Sequence, residues 1–150
     1  MKVFDSNGKF DFRIKPQTDD TDTKLYVLDV AAGEDEKISL LVEEAGAEEW
    51  REVQVFNKTA DLGHKFPVRS GDSRWYDDRL TVTSGKQGSK ILLKTTVRGT
   101  VRESLKGRVV DVHEPSGEFV CSFEVFQNSI DISATGDGRV MILDQSDQSV

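Results

Sequence analysis

The sequence predicts an all-β fold, with an antiparallel β-sandwich as the first choice and a closed β-barrel as the alternative. Roughly nine to eleven short segments have strand character, and turn residues recur about every 8–15 residues between them. No segment has the period of a long amphipathic helix, so we expect at most one short helix. Strands that follow one another without crossover helices cannot pair in parallel, which makes the sheets antiparallel. We expect a single β domain over residues 1–150.

The N-terminal segment predicts a β-hairpin. Phe10, Phe12 and Ile14 alternate with charged residues after an Asn7-Gly8 pair, and such a pair favours a type I′ turn. Further strands are expected at residues 24–30, 38–42, 50–56, 79–83, 109–112, 118–126, 130–132 and 140–143.

Two segments depart from the strand pattern. Residues 57–72 are interrupted by glycine and proline, so we expect a long connection there. Residues 43–56 begin with helix formers and end with β-formers. Gly46 would cost a helix about 1 kcal/mol relative to alanine. We therefore expect a turn at residues 44–48 followed by a strand, with a one-turn helix as the rival.

The most regular stretch is residues 90–105. Apolar residues occupy odd positions and basic residues recur every four positions, a spacing that fits a helix as well as a strand. Its β-branched residues and Gly99 disfavour a helix. We expect one or two strands with an apolar inner face, a basic outer face and a bend near Gly99.

The apolar positions of these alternating runs define a predicted core. Cys121 alternates with phenylalanines and is expected to be a buried small hydrophobic residue. The side chains expected to be buried together are Phe10, Phe12, Ile14, Ile91, Leu93, Phe119, Phe123 and Val125.

Charge is segregated along the chain, whose net charge is −7. Residues 1–50 carry six basic and thirteen acidic side chains, and residues 109–150 carry one and eight. Residues 86–108 carry seven basic side chains and one acidic side chain. Complementary poles favour contact between copies of the chain, so we expect a homo-oligomer whose association weakens as salt rises. The acidic balance and the lack of a nucleic-acid-binding signature argue against nucleic acid as a partner.

No catalytic, cofactor or metal motif is present, and the sequence predicts a non-enzymatic protein without a cofactor. Cys121 is the only cysteine and there are two histidines, which excludes cysteine-based zinc sites. Asp19, Asp20 and Asp22 could offer carboxylates to calcium, but their spacing does not match an EF-hand. We expect a solvated acidic loop and leave calcium binding open.

The expected location is the cytoplasm or a virion. The N-terminus lacks the apolar stretch of a signal peptide, and no run of 18 apolar residues predicts a membrane helix.

The predicted function is that of a structural or interaction protein that docks on itself or on a large assembly. A virion accessory protein, such as a capsid decoration, cement or tail protein, is one form of it. Trp75 and Tyr76, in a polar context, are residue types enriched at interfaces. Equally, Trp75 could cap the core with Tyr76 at its rim. One alternative function is a carbohydrate-binding module with these two rings as its platform; the other is an acidic inhibitor of a nucleic-acid enzyme. The predicted partner-binding residues are Arg74, Trp75, Tyr76, Lys90, Lys94, Arg98 and Arg102.

Overall fold

Twelve β-strands and no helix are found in the part of the chain that the structure describes. This computed structural model describes residues 1–33, 36–68, 75–85, 88–97, 108–125, 129–135 and 137–144. The strands are β1 (Lys2–Phe4), β2 (Phe10–Arg13), β3 (Leu25–Ala32), β4 (Ile38–Glu44), β5 (Ala47–Phe56), β6 (Leu62–Pro67), β7 (Trp75–Gly85), β8 (Gly88–Val97), β9 (Arg108–His113), β10 (Phe119–Val125), β11 (Ser129–Ala134) and β12 (Val140–Asp144).

The strands form four antiparallel sheets. Strands β3 to β6 pair in chain order and make the first sheet, and β7 to β10 likewise make the second sheet. The pair β1–β2 is the N-terminal hairpin, and the pair β11–β12 is the C-terminal hairpin. All pairings are antiparallel, which confirms the predicted class. Among the described residues each sheet is open at both edges, so the closed-barrel alternative is wrong.

Most predicted strands are present, and one strand was missed. The turn expected before β5 is confirmed over its helical rival, although β5 already begins at Ala47. The expected long connection over residues 57–72 is wrong, because it contains β6. This strand is an edge of the first sheet, where glycine and Pro67 are tolerated because one row of backbone groups needs no partner. The predicted bend at Gly99 lies outside the described residues.

The buried side chains that the structure describes form three clusters rather than one. The central cluster draws on both four-stranded sheets and consists of Leu41, Val53, Val55, Phe66, Val68, Leu80, Ile91 and Leu93. The N-terminal cluster lies between the first sheet and its hairpin and contains Ile14, Leu40, Val42 and Phe56, with Val3 and Phe12 packed against it. The C-terminal cluster contains Leu92, Val110, Val125 and Ile132, with Phe123, Val140 and Ile142 packed against it.

The first sheet is covered on both faces. Leu40 and Val42 belong to the N-terminal cluster, whereas Leu41 between them belongs to the central cluster, and all three are 0% exposed. Because successive side chains of a strand point to opposite faces, three consecutive buried residues require cover on each side. The same holds for Ile91 and Leu92 on β8, which belong to the central and C-terminal clusters respectively.

The predicted single core is therefore wrong in two respects. Its buried members are divided among the three clusters, and two of its phenylalanines are exposed. Phe10 is 47% exposed and Phe119 is 52% exposed. Cys121, expected to be buried, is also exposed.

β-Bulges explain where the two exposed phenylalanines lie. Val3 pairs with Phe12 and Phe4 with Phe10, so Asp11 is an extra residue on β2. Similarly, Val120 is an extra residue on β10. An extra residue breaks the two-residue alternation of a strand. Phe119 therefore contacts the ring of His113, while Phe123 packs against the C-terminal cluster.

All four edge strands of the two large sheets carry such a bulge. The extra residues are Leu28 on β3, Gly63 on β6, Asp78 on β7 and Val120 on β10. A bulge disrupts the regular row of backbone donors and acceptors at a sheet edge, which makes the addition of another strand less favourable.

Among the described residues, four hairpin loops share one hydrogen-bonding pattern. In the first, the Asp5 N–H donates to the Lys9 carbonyl at 2.9 Å and the Gly8 N–H donates to the Asp5 carbonyl at 3.0 Å. Gly8 has a φ of 76°, whereas Asn7 is not among the residues with positive φ. A type I′ turn needs positive φ at both positions, so the predicted turn type is wrong. The corresponding left-handed residues in the other loops are Ala60, Gly117 and Gly138.

Ala60 is the one member of this set with a side chain, and we expect Ala60→Gly to stabilise the protein. Its φ of 65° costs an L-residue about 1–2 kcal/mol, which glycine avoids. The methyl group packs partly against the N-terminal cluster, which offsets some of the gain. We expect the free energy of unfolding in urea to rise by about 0.5–1 kcal/mol. A fall would show that the packing of the methyl group outweighs the backbone strain.

Candidate functional site

The predicted partner-binding residues fall on two neighbouring strands where the structure describes them. Trp75 and Tyr76 begin β7, and their backbones pair with Val97 and Thr96 at the end of β8. Lys94 lies on β8 between β7 and β9. Their role as partner contacts stays a prediction. Three further predicted contacts, Arg74, Arg98 and Arg102, lie outside the described residues.

Lys90, the seventh predicted contact, forms an ion pair within the chain. Its Nζ atom lies 2.7 Å from Oε1 and 2.8 Å from Oε2 of Glu114. The sequence also led us to expect Phe119–Val125 on the strand next to this one, where it would supply apolar side chains behind the basic face; this is wrong, because β9 separates β8 from β10. The side of β8 expected to face solvent is also partly covered, since Leu92 is 1% exposed in the C-terminal cluster.

In the acidic loop, the carboxylates of Asp19 and Asp20 accept hydrogen bonds from groups of the protein itself. Asp20 accepts hydrogen bonds from the Asp22 N–H at 3.0 Å and from the Thr23 hydroxyl at 3.2 Å. Asp19 accepts one from Lys65 Nζ at 2.7 Å, and this contact raises the pKa of Lys65. Within the described ranges, no three His, Cys, Asp or Glu side chains converge as metal ligands would.

A row of four rings crosses from the first sheet to the second. The ring centroids of His64 and Phe66 are 6.2 Å apart, those of Phe66 and His113 are 5.5 Å apart, and those of His113 and Phe119 are 5.7 Å apart. The β9–β10 turn lies directly over this row, because a Cβ atom on Gly117 would be 2.5 Å from Cγ of Phe66. The β9–β10 turn of the second sheet therefore packs closely on Phe66 of β6 in the first sheet.

A cleft of about 280 Å³ opens beside this row. Its polar lining includes Lys37, Asn57, His64 and Ser116. Nucleophilic catalysis needs a hydroxyl or thiol within hydrogen-bond distance of a base. The described contact of the His64 ring is instead with Phe66.

The outer face of the N-terminal hairpin exposes two phenylalanine rings. Phe4 is 54% and Phe10 is 47% exposed, and the two rings meet edge to face with centroids 6.1 Å apart. Val3 and Phe12 pack inward against the N-terminal cluster. On the same hairpin Lys2 pairs directly with Arg13, and both residues are exposed. We call Lys2, Phe4, Phe10 and Arg13 the N-terminal face.

The C-terminal hairpin has a matching outer face. Met141 is 52% and Leu143 is 56% exposed, while Val140 and Ile142 pack inward against the C-terminal cluster. The cross-strand partner of Met141 is Ser133, and that of Leu143 is Asp131. We call Asp131, Ser133, Met141 and Leu143 the C-terminal face.

Neither face was predicted as a site, although the sequence contains a signal for one of them. Residues 140–143 are four consecutive apolar residues. A two-stranded hairpin packs only one side against a sheet, so two of the four must face away from the core. No such signal marks the N-terminal face, since the exposure of Phe10 depends on the bulge at Asp11.

Comparisons with known proteins assign no family to this chain. No protein family profile matches the sequence, and no curated protein matches it either. Among solved structures, the chain is similar to the crystal structure of a protein of unknown function from Bacteroides caccae. The two share 8% identity with a TM-score of 0.44, and the match covers 82% of this chain and 39% of that chain. Among the described residues, no helix is long and apolar enough to cross a membrane.

Proposed function

We propose that this protein is a non-enzymatic interaction protein that docks on copies of itself as part of a larger assembly, for which a virion component is one setting. The observation that carries this proposal is the pair of apolar faces on the two hairpins. Contiguous exposed apolar side chains bordered by charged groups are typical of surfaces that bind other proteins.

The bulged edges of the large sheets favour docking through side chains rather than through added strands. Strands β3 and β10 also expose apolar residues, among them Tyr26 and Phe119. Each of these strands, however, carries a bulge that interrupts its free backbone row. The hairpins carry a bulge as well, but each presents two large apolar side chains on its outer surface, which suits a contact through side chains.

The proposed scaffold for these surfaces is a β-sandwich of the first and second sheets. Two observations support it. The central cluster contains side chains of both sheets, and the Leu80 N–H on β7 donates to the Asp29 carboxylate on β3 at 2.9 Å. A sandwich would carry the two hairpins on its two outer sides.

Self-association is the expected result for the purified chain. Sedimentation velocity should show a mean mass that rises above 16.8 kDa as protein concentration increases. Because oppositely charged segments attract at long range, the association constant should fall several-fold when salt rises from about 0.05 to 0.5 M. A mass that stays at 16.8 kDa up to about 1 mM protein at low salt would contradict the proposed function.

The carbohydrate-binding alternative gives a different outcome in the same set of measurements. It requires a monomer that binds oligosaccharides and loses this binding when Trp75 and Tyr76 are both replaced by alanine. Binding of this kind by a strictly monomeric chain would overturn the proposal of self-docking.

A further inference from the structure

We propose that copies of the chain associate end to end, with the N-terminal face of one copy on the C-terminal face of the next. This inference rests on the proposed function, because it names the surfaces through which the copies dock. The contact joins two different faces, and the partner is a second copy of the chain.

The two faces belong to opposite sides of the molecule. The N-terminal hairpin packs on Leu40 and Val42, which point away from the side of β4 that carries Leu41 and the central cluster. The C-terminal hairpin packs on Leu92, which points away from Ile91 and the central cluster. Each hairpin therefore covers a sheet on the side that faces away from the other sheet. Contact between the two faces must then join different copies.

The faces match in size and apolar character. Each presents two large apolar side chains that are about half exposed, Phe4 with Phe10 on one and Met141 with Leu143 on the other. Thioether and aliphatic side chains pack well against aromatic rings, and methionine adapts its shape to them. Mutual burial would remove all four side chains from water.

The faces also match in charge. Residues 1–15 carry four basic and two acidic side chains, whereas residues 129–144 carry one basic and three acidic side chains. Lys2 and Arg13 are direct cross-strand neighbours, an arrangement of like charges that destabilises an isolated hairpin. On the other face, Asp131 lies opposite Leu143, and its side chain is 58% exposed even with Arg79 3.5 Å away. An acidic surface over Lys2 and Arg13 would relieve their repulsion.

Charge also disfavours the symmetric alternatives. Two N-terminal faces would bring two Lys2–Arg13 pairs together, and two C-terminal faces would bring together two Asp131 carboxylates, each with Arg79 3.5 Å away. Like-charged juxtaposition opposes the first contact strongly and the second less, because Arg79 balances part of the Asp131 charge. The contact between unlike faces is thus favoured, and such a heterologous contact extends from copy to copy unless its rotation closes a ring.

The expected strength follows from the size of the faces. A face of two short strands buries less than the roughly 1,200 Å² of total area that a stable interface requires. Association should therefore be weak for each contact and strongly dependent on concentration. At high concentration the oligomers should grow continuously and not stop at the dimer.

The test uses two variants of the full chain, each with one face made polar. The first carries Phe4→Ser and Phe10→Ser, and the second carries Met141→Ser and Leu143→Ser. Each variant alone should self-associate at least tenfold more weakly than the wild-type protein. An equimolar mixture should form a heterodimer, because each variant keeps the face that the other lacks. Sedimentation velocity with one variant carrying a dye detects that heterodimer.

A matched control separates the loss of a specific face from a general loss of exposed apolar surface. Tyr26→Ser removes a side chain that is 48% exposed on β3, outside both faces, and should leave association unchanged. If the variant with Phe4→Ser and Phe10→Ser unfolds, a variant with Lys2→Glu and Arg13→Glu takes its place. This charge reversal should weaken association at low salt. Unchanged association of both face variants, with the wild type associating, would overturn the end-to-end contact and leave self-docking in place. So would association of either face variant alone at the wild-type strength. A wild-type chain that stays monomeric would overturn both proposals.

Discussion

Gly117→Ala should lower the free energy of unfolding by about 3–4 kcal/mol, the sum of a clash and a backbone strain. The new Cβ atom would lie 2.5 Å from Cγ, 2.7 Å from Cβ and 2.8 Å from Cδ1 of Phe66. Rotation of the Phe66 side chain cannot move its own Cβ atom, so the backbone of the β9–β10 turn or of β6 must shift. Gly117 also has a φ of 90°, which an alanine adopts with strain. For a chain of this length the melting temperature should fall by about 10 °C.

Gly8→Ala is the matched control for this substitution. Gly8 has the same place in a loop of the same hydrogen-bonding pattern and a φ of 76°, but no atom lies within 4 Å of its would-be Cβ. Its expected cost is the backbone strain alone, about 1 kcal/mol. Calorimetry or urea denaturation of both variants gives the difference. Equal costs would show that the turn does not press on Phe66 and that the contact between the sheets lies elsewhere.

The sequence was sufficient to predict the fold class because turn chemistry and alternation are local. Segments such as Trp50–Phe56 and 109–112 contain their own strand signal, and the structure confirms them. The missed strand β6 shows the limit of this approach. Gly63 and Pro67 read as breakers until the strand is known to lie at an edge, and its place at the edge depends on distant partners.

The prediction of the core from apolar alternation was wrong at two kinds of position: in strands that contain a bulge, and in strands whose second face is also covered. Phe10 and Phe119 keep the expected spacing from Phe12 and Phe123, but one extra residue in each strand removes them from that face. Conversely, Leu41 lies between Leu40 and Val42, which are buried in the N-terminal cluster. Leu41 is buried as well, in the central cluster on the opposite face of the sheet. Neither the bulge nor the cover on the second face can be recognised from the sequence of the strand alone, because both depend on how the strand packs with other parts of the chain.

The predicted interaction site depended on charge and residue type, which the sequence shows without geometry. Lys90 was predicted to be available to a partner, and its pairing with Glu114 joins residues 24 positions apart. The hairpin faces were found only once inward and outward side chains could be told apart. Of the four side chains that carry the proposed contact, Met141 and Leu143 were the ones that a closer count of apolar residues could have revealed.

Phe56→Ala should cost about 3–5 kcal/mol of unfolding free energy, a large part of the stability of a typical domain. Phe56 is 0% exposed and packs with Ile14, Leu40 and Val42 in the N-terminal cluster. Its truncation leaves a cavity between the first sheet and the N-terminal hairpin, which those neighbours cannot close without moving the backbone. Urea denaturation should therefore show a large fall in the midpoint at an unchanged slope.

Phe10→Ala distinguishes the three-cluster arrangement from the single core that alternation predicts. The ring of Phe10 is 47% exposed and rests on Phe4, so its loss removes one edge-to-face contact and little buried area. Its expected cost is below about 1 kcal/mol. A cost for Phe10→Ala as large as that for Phe56→Ala would place Phe10 inside the core and would remove the N-terminal face as a docking surface. A small cost, together with a loss of self-association, would show that this ring serves the contact between copies and not the folding of one.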